Sequence, residues 1–229
     1  MVPATYDHIW DCCCDHGLLG AALLARQAAA YIHFVDVVPE LMRQLENKLV
    51  QFFPANSQSN SQSIAQLNSQ SISRARWQVH CMDVSALPLQ NFSGKHLVII
   101  AGVGGDLMTE FVRAIYQQHP NIEIDFLLCP VHHQFTLRQQ LIQYDFSLLT
   151  EVLMVENQRF YEILFVSSRQ KSCAPISPVG SLMWQTNTPE QLTIAVDYLS
   201  KTLAHYQRMQ LSRDADVQSI IDAYSAVNI

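Results

Sequence analysis

The chain has 229 residues, of which 49% are hydrophobic and 15% charged, and its formal net charge is −6. This composition predicts a globular protein that can bury a large core. Because the sequence contains neither an apolar run of about 18 residues nor a signal-peptide pattern, we expect a cytoplasmic protein with no membrane partner. The excess of acidic residues disfavours a broadly basic surface, so any nucleic-acid partner would have to contact local basic patches.

Strand and helix patterns alternate along most of the chain, which predicts a Rossmann-like, doubly wound α/β sheet. A closing antiparallel hairpin is predicted by two apolar runs, 148–156 and 160–167, that flank a polar turn. The other predicted strands are 8–12, 31–36, 77–81, 97–101 and 125–129, and the predicted helices are 18–29, 40–53, 106–119 and 136–144.

Two segments differ from this alternation. Residues 54–74 are rich in Ser, Gln and Asn, which predicts a low-complexity loop. After a break rich in Pro and Gly, apolar stripes over 192–209 and 217–224 predict two antiparallel helices in a coiled-coil-like appendage. We therefore expect domains at residues 1–167 and 175–229. The alternative is an ordinary helical hairpin packed on the sheet, with no binding role.

The most informative motif is WDCCCDHGLL, residues 10–19, at the end of the first predicted strand. An apolar strand leads into an acidic turn, a helix begins at Gly17, and a second strand ends at Asp36, about twenty residues later. This spacing is typical of a sheet that binds a ribose-containing ligand at its carboxyl edge. No Gly-x-Gly-x-x-Gly motif is present, and Asp15 would repel a pyrophosphate. A cationic, phosphate-free nucleoside such as S-adenosylmethionine is therefore favoured over NAD.

Each part of such a cofactor has a candidate partner at this edge. Asp11 and the backbone of residues 13–17 are placed for the amino-acid end, and Asp36 for the ribose hydroxyls, because a carboxylate can accept from both. Asp83, just beyond the third strand, is a candidate acceptor for the adenine amino group. For both Asp36 and Asp83 the alternative is a turn or helix-capping role. The predicted cofactor-binding residues are Asp11, Cys13, Gly17, Asp36, Val37, Asp83, Val84, Ala101 and Gly102.

The fourth and fifth predicted strands end in turns of unusual composition. Ala101 is followed by Gly102-Val103-Gly104-Gly105, whose glycines allow a planar ligand to approach the backbone, and Asp106 can cap the next helix. The fifth strand is followed by Pro130-Val131-His132-His133. Since the carboxyl ends of parallel strands lie at one edge of a sheet, we expect both turns on the side of the reacting methyl group.

Five segments, taken in order, carry a family resemblance. They are DCCCDHGLLG, VDVVPEL, IIAGVGGDLM, LLCPVHHQFTLRQQL and EVLMVENQRFYEILF. Together they resemble the bacterial family of tRNA (adenine-22, N-1)-methyltransferases over about residues 8–167, and the helical tail matches in kind. The matching positions include the pairs Leu137-Arg138 and Tyr161-Glu162. The resemblance implies a seven-stranded class I methyltransferase sheet, S-adenosylmethionine as the cofactor and tRNA as the partner.

The resemblance also implies the reaction, which is methyl transfer to N-1 of adenine 22. That ring nitrogen needs no base, so the site has mainly to hold nitrogen and methyl group together in a dry pocket. A carboxylate could stabilise the cationic product or relay its proton, with Asp15 as the first candidate and His16 as the second. The alternative is that both residues only order the cofactor loop. Predicted substrate contacts are Gly104, Gly105, Pro130, His132, Arg138 and Arg159.

Two further expectations follow from the resemblance. Cys13 stands where the family has glycine, so we expect a crowded site for the cofactor carboxylate and weaker cofactor binding. The target base must leave its stack, which favours an enzyme that grips the surrounding RNA. The predicted grip consists of Lys201, Arg208 and Arg213 in the helical tail, with Arg138 and Arg159 near the sheet edge.

Three other classes of function stay open. A methyltransferase acting on a small molecule or a protein would keep the cofactor site without binding tRNA, and the acidic net charge favours this rival. A catalytically inactive homologue that binds only the cofactor or RNA would be explained by Cys13. A metal site at Cys12, Cys14 and His16 is the third class; we expect no metal, because structural zinc sites usually need a second ligand pair. The sequence does not determine the oligomeric state.

Overall fold

The computed structural model describes residue 2 and residues 6–54, 75–169, 174–211 and 216–229. These residues form two compact units, one within residues 2–96 and the other within residues 97–229. Nearly all of the predicted Ser/Gln/Asn loop lies outside the described residues, as does Arg213.

The unit of residues 2–96 is built on three parallel strands. Its elements are β1 (Tyr6–Cys12), α1 (Leu18–Ala25), β2 (Ala29–Asp36), α2 (Pro39–Phe52) and β3 (Trp77–Cys81), followed by short 3₁₀ turns at 84–86 and 89–91. The strand order is β3-β2-β1, and the register places Asp11 beside Phe34 and Asp36 beside Cys81. Helices α1 and α2 pack on these strands. The acidic ends of β1 and β2 therefore lie at the same edge.

Helix α1 ends earlier than the sequence pattern predicts. The pattern extends the helix to Ala29, but it ends at Ala25. Gln27 adopts a left-handed backbone with φ of 54°. Its amide bonds to the Leu24 carbonyl and the following amide bonds to that of Leu23, which is the Schellman arrangement. Because this position carries glutamine instead of the usual glycine, the sequence contains no visible stop signal.

The unit of residues 97–229 begins within β4 and combines parallel and antiparallel strands. Its strand order is β4-β5-β7-β6-β8, and β7 runs antiparallel to both β5 and β6. The predicted hairpin is confirmed: Asn157 and Gln158 form its turn with φ of 48° and 64°, the left-handed values typical of two-residue hairpin turns. The elements are β4 (His96–Ala101), α3 (Gly105–Gln118), β5 (Ile124–Cys129), α4 (Gln134–Gln143), β6 (Ser147–Glu156), β7 (Arg159–Ser167), β8 (Ala174–Pro175), α5 (Pro189–Gln210) and α6 (Gln218–Ser225).

The predicted mixed α/β class is confirmed, with one strand more than expected. The described residues form eight strands, and the additional one is β8, which pairs with Ser147 and Leu148 at the start of β6. The bounds of the other strands agree with the predicted ones to within about two residues. Within the described part of the chain, no helix combines the length and the apolar character needed to cross a membrane.

The two C-terminal helices pack on antiparallel strands of their own unit. Thr188 caps α5, and its side chain accepts a hydrogen bond from the Gln191 amide. This packing corresponds to the alternative of a helical hairpin that lies on the sheet. The separate domain expected at residues 175–229 stays a prediction. The shared apolar cluster contains Val179, Met183, Trp184, Ala195, Tyr198 and Tyr224, with Leu153 and Phe160 packed against it.

A fully buried ion-pair network joins α4 to β6 and β7. Arg138 of α4 is 0% exposed, and its guanidinium lies 2.8 Å from both Glu151 and Glu162. Burial alone would lower the pKa of Arg138, but the two carboxylates raise that pKa above its usual value. Glu151 also accepts from the amides of residues 181–183, and Glu162 accepts from the Tyr198 hydroxyl. The network therefore links α4, β6, β7, the turn at 181–183 and α5.

This network corrects the substrate-binding role predicted for Arg138. The guanidinium is enclosed on all sides and both of its partners are buried, so a tRNA contact would have to break a buried ion pair. The Leu137-Arg138 and Tyr161-Glu162 segments of the family resemblance are thus two halves of one structural contact.

Replacing Arg138 by alanine should strongly destabilise the protein, because two buried carboxylates would lose their counter-charge. Removing one partner of a buried ion pair typically costs about 3–5 kcal/mol. Arg113→Ala, which removes an exposed arginine of α3, should change the free energy of unfolding by less than about 0.5 kcal/mol. Urea titration of both variants measures the difference. Equally small effects for the two substitutions would contradict the assignment.

Candidate functional site

The loop after β1 is fastened to the end of β2 by backbone hydrogen bonds. Cys13, Asp15 and Gly17 adopt left-handed conformations, with φ of 54°, 48° and 68°. The Cys14 amide donates to a β2 carbonyl at 3.2 Å, and the Asp15 amide donates to the Asp36 carboxylate at 3.1 Å. These bonds hold the backbone of the predicted cofactor loop in one conformation.

Position 17 requires glycine, whereas position 13, where the resembling family has glycine, carries cysteine. A Cβ on Gly17 would lie 2.6 Å from the Leu45 side chain, so no larger residue is accommodated without a shift. Cys13 has a left-handed backbone that costs L-residues about 1–2 kcal/mol and glycine almost nothing. The geometry therefore explains why glycine suits position 13, and it places the additional cysteine side chain in the loop itself.

Asp11 is buried beneath the start of α1. Its carboxylate accepts a hydrogen bond from the Gly20 amide at 2.8 Å. A Cβ on Gly20 would lie 2.3 Å from the Phe34 ring, so the close approach of α1 to the strands depends on this glycine. Burial raises the pKa of Asp11 to about 7, although the bond from Gly20 opposes that shift. A cationic ligand nearby would favour the ionised form of Asp11.

Asp36, the predicted ribose partner, has both carboxylate oxygens oriented by the backbone. One oxygen accepts from the Asp15 amide and the other from the Val38 amide, each at 3.1 Å. Each oxygen retains a second lone pair for a hydroxyl donor. The neighbouring Val37 is 59% exposed, which offers an apolar surface beside the carboxylate. This combination suits a ribose joined to a base.

Asp83 and Val84 lie just beyond β3. The Asp83 side chain accepts from the Ser85 amide at 2.7 Å, and hydrogen bonds from the Ser85 side chain and amide together lower the pKa of Asp83. Asp83 therefore has the capping role that the sequence leaves open as an alternative, and contact with adenine stays a prediction. The Val84 side chain is only 2% exposed. Any contact of Val84 with a cofactor would therefore involve its backbone.

The carboxylates at this edge produce a negative electrostatic field. The pKa of Cys13 is raised to about 11, first by burial and then by the charges of Asp36, Asp11 and Asp83. The same field that disfavours a thiolate also disfavours a pyrophosphate and attracts a cation. The edge is therefore suited to a positively charged nucleoside.

Asp15 and His16, the predicted catalytic pair, lie on the surface of the cofactor loop. Their side chains are 66% and 56% exposed, and the closest approach of Asp15 Oδ1 to His16 Nε2 is 3.8 Å. At this exposure the pair interacts weakly. Their catalytic roles stay predictions.

The turns after β4 and β5 interlock within the unit of residues 97–229. The Gly105 amide donates to the His132 carbonyl at 2.8 Å. A Cβ on Gly104 would lie 2.3 Å from the His132 ring, and one on Gly105 would lie 2.4 Å from the His133 carbonyl oxygen. These two glycines therefore permit contact between the turns. Gly102 differs, since it has φ of 79° and a Cβ there would meet nothing within 4 Å, so the backbone at this position faces open space.

The structure reveals a histidine–carboxylate pair that the sequence reasoning missed. His133 Nδ1 lies 2.5 Å from Asp106 Oδ2, and both side chains are more than half exposed. Asp106 was expected to cap α3, but the N-cap is Gly104 and no side chain caps the helix. In the neutral ring, a carboxylate that accepts from Nδ1 leaves the opposite nitrogen, Nε2, as a hydrogen-bond acceptor. The residues are 27 positions apart, so only the adjacency of the two strand ends could have indicated the pair.

The remaining predicted contacts differ in accessibility. Pro130 is buried, whereas His132 and Arg159 are exposed. On α5, Lys201 and Arg208 are also exposed, and the Lys201 ammonium lies 4.8 Å from the centre of the Phe160 ring.

Among residues 6–54, 75–169, 174–211 and 216–229, no group of three His, Cys, Asp or Glu side chains is arranged to hold a metal ion.

Comparisons with known proteins identify the fold of the chain. A family model described as a methyltransferase domain matches residues 54–164, just under half of the chain. No curated protein sequence matches the chain. A candidate tRNA (m1A22) methyltransferase from Streptococcus pneumoniae, solved with S-adenosyl-L-methionine, aligns with a TM-score of 0.67 at 17% identity, covering 98% of this chain and 93% of that one.

Two further solved structures have the same architecture. The Bacillus subtilis m1A22 tRNA methyltransferase TrmK aligns with a TM-score of 0.62 at 14% identity, covering 98% of this chain and 92% of that one. TrmK from M. capricolum, in complex with S-adenosyl-homocysteine, aligns with a TM-score of 0.65 at 11% identity, covering 95% and 89%. At these identities the likeness is one of fold. The chain has the Rossmann-like α/β fold of class I methyltransferases.

The raised pKa of Asp11 should make stability depend on pH. The folded-state pKa of about 7 lies above the ordinary value of 3.8, so the folded state retains the proton and its stability falls as the pH rises from about 4 through 7. Asp11→Asn keeps an acceptor for Gly20 and removes this titration. Between pH 5 and pH 8 the variant should therefore gain about 1–3 kcal/mol relative to the wild type.

Urea titrations of the ligand-free protein at the two pH values measure this difference, since all other titrating groups cancel in the comparison. A difference between Asp11→Asn and wild type that is constant with pH would show that Asp11 titrates normally.

Proposed function

We propose that this protein is a tRNA methyltransferase that uses S-adenosylmethionine to methylate N-1 of adenine 22. The observation that carries the proposal is the acidic edge of the 2–96 unit, where backbone amides orient both Asp36 carboxylate oxygens in a field that disfavours pyrophosphate and favours a cation. Support comes from the fold of tRNA (m1A22) methyltransferases, which extends over nearly the whole chain.

The cofactor would be held by residues whose geometry is already set. Asp36 would bind the ribose hydroxyls, and exposed Val37 would contact the base. Asp11 and the backbone of the 13–17 loop would bind the charged amino-acid end. When bound, S-adenosylmethionine supplies an electrophilic methyl group on a cationic sulfur. The surrounding carboxylates favour this cation over a neutral or anionic nucleoside.

The chemistry at the target base needs positioning more than proton removal. The N-1 lone pair lies in the ring plane and is free to attack, so the protein has to hold the adenine at near-attack distance and exclude water. The adenine gains positive charge in the reaction. We assign stabilisation of this charge to Asp15, with His16 as the second candidate.

The RNA would be gripped by local cations, because the chain as a whole is acidic. Arg159, Lys201 and Arg208 are exposed in the unit of residues 97–229, whereas Arg138 is enclosed in its ion pairs. The compartment would be the cytoplasm. In agreement, the five cysteines within the described residues are all free thiols.

Methyl transfer from labelled S-adenosylmethionine to unmodified tRNA tests the proposal directly. Wild-type protein should label the tRNA, and an adenine-to-guanine change at position 22 should abolish labelling. Asp36→Asn should weaken cofactor binding about tenfold or more, because charge-assisted hydrogen bonds to the ribose would be lost. Asp222→Asn, an exposed carboxylate of α6, is the matched control and should leave cofactor binding unchanged.

The alternative functions give different results in the same experiments. Labelling that survives the change at position 22 would assign the methyl group to another base. Calorimetric binding of S-adenosylmethionine without tRNA labelling would favour a small-molecule or protein substrate. No cofactor binding at all would identify an inactive homologue.

Cys13→Gly should tighten cofactor binding. The backbone at position 13 already has a conformation suited to glycine, and removing the thiol would open the loop near the cofactor carboxylate. We expect roughly a tenfold gain in affinity, about 1.4 kcal/mol. Cys13→Ser, which keeps the side-chain size, is the control and should change the affinity by less than about twofold. Isothermal titration with S-adenosylmethionine measures both variants, and equal affinities would rule out crowding by Cys13.

A further inference from the structure

A cavity of about 610 Å³ opens on the strands of the 2–96 unit. Its volume lies within the range of about 300–1,000 Å³ that is typical of ligand pockets. None of its lining residues belongs to the loops assigned above to the cofactor. The cavity is lined by His8, Tyr31, His33, Ala75, Trp77, Gln78, Asn91, Phe92 and Ser93.

The floor of the cavity is formed by one face of the parallel strands. The register places His8 of β1 beside Tyr31 of β2, and His33 of β2 beside Gln78 of β3, so these side chains share a face. His8 is 7% exposed and His33 is 1% exposed. The floor is therefore buried and polar, while Gln78 stands exposed at the rim.

The buried histidines form a hydrogen-bonded chain with a definite direction. The Ser93 backbone forms a hydrogen bond with His8. Because a carbonyl can only accept, a neutral His8 ring donates to it and accepts a hydrogen bond at Nδ1 from its neighbour. His8 Nδ1 lies 3.0 Å from His33 Nε2, and His33 Nδ1 lies 2.9 Å from His80 Nε2. His80 thus donates to His33, which donates to His8. Each ring is neutral in this arrangement, and burial lowers the pKa of all three histidines.

Stacked rings make the floor rigid. Trp10 lies parallel to His33 at 3.9 Å between ring centres, and Tyr31 stacks on His8 at 5.4 Å. Phe92 meets His33 edge-on at 4.7 Å. Because both ring nitrogens of His33 are already bonded and its faces are packed, the floor is an ordered aromatic surface.

The lining indicates the chemistry of the ligand. None of the nine described lining residues is a Lys or Arg, so the cavity does not suit a phosphate, and no three ligating side chains among the described residues are arranged to hold a metal ion. Tyr31 and Phe92 provide aromatic surfaces for stacking a flat ring. Gln78 and Asn91 each offer an amide donor and an amide acceptor to the edge of that ring. A neutral, planar ring with mixed donors and acceptors, such as a nucleobase, matches this set.

We propose that this cavity binds an unpaired nucleobase of the RNA substrate, separate from the base that is methylated. The assignment of this base to RNA rests on the proposed function, because a free nucleoside would present the same ring to the cavity. A second stacking site would fix the RNA on a chain whose acidic charge provides little general attraction to phosphates.

The test compares the wild type with two cavity variants. Ser93→Trp fills the mouth of the cavity, and Gln78→Leu removes the amide while keeping the side-chain size. Ser219→Trp, at an exposed position of α6, controls for adding a tryptophan. Saturation-transfer NMR with adenosine, cytidine, guanosine and uridine, without S-adenosylmethionine, gives the dissociation constants. Thermal unfolding of each variant verifies the fold.

Loss of one stacked base should weaken binding about fivefold to a hundredfold. We expect Ser93→Trp to raise the dissociation constant for at least one nucleoside, and to raise KM for tRNA, by such a factor. Gln78→Leu should alter the preference among the four nucleosides. The KM for S-adenosylmethionine should not change in either variant.

Two results would overturn the inference. Equal nucleoside binding by wild type and Ser93→Trp would show that the cavity is not the site. Nucleoside binding that depends on the cavity, combined with an unchanged KM for tRNA, would assign the cavity to a free nucleoside instead of RNA. Failure of the wild type to methylate tRNA would contradict the proposed function alone, because the nucleoside titrations need neither cofactor nor tRNA.

Discussion

The buried contact of Arg138 with Glu151 and Glu162 is the constraint on which the unit of residues 97–229 depends. One cation lies between two carboxylates, and each carboxylate is completed by donors from residues that follow the strands, the backbone at 181–183 and the Tyr198 hydroxyl. Such a network is costly when any member is missing and stable when all are present. The C-terminal helices are therefore coupled to the sheet by electrostatics as well as by apolar packing.

The carboxylates at the edge of the unit of residues 2–96 are stabilised differently, by backbone amides. At its carboxyl edge, acidic side chains lie close together, and backbone amides donate hydrogen bonds to Asp11, Asp36 and Asp83. Under the proposed function, the resulting negative potential would favour a cationic ligand. It also accounts for part of the net charge of −6, which would otherwise argue against an RNA partner. Under the proposed function, affinity for RNA would depend on a few exposed cations and on stacking, not on a general basic surface.

The sequence was sufficient for features that depend on local pattern. Strand positions, the hairpin turn and the placement of Asp36 at a strand end all follow from periodicity and short-range spacing. Features that depend on long-range pairing were missed or misread. Arg138 was interpreted as a surface cation because nothing local indicates that two glutamates surround it. The His133–Asp106 pair and the end of α1 at Gln27 likewise need the folded backbone to be seen.

The run Cys12-Cys13-Cys14 has a consequence for chemical reactivity. A thiolate is a strong nucleophile, and beside a sulfonium methyl donor it would be alkylated in place of the intended substrate. Burial and the neighbouring aspartates raise the pKa of all three thiols, that of Cys13 to about 11. At neutral pH these sulfurs thus stay protonated and unreactive. If the acidic edge binds a cationic methyl donor as proposed, it would therefore also protect the protein from methylating itself.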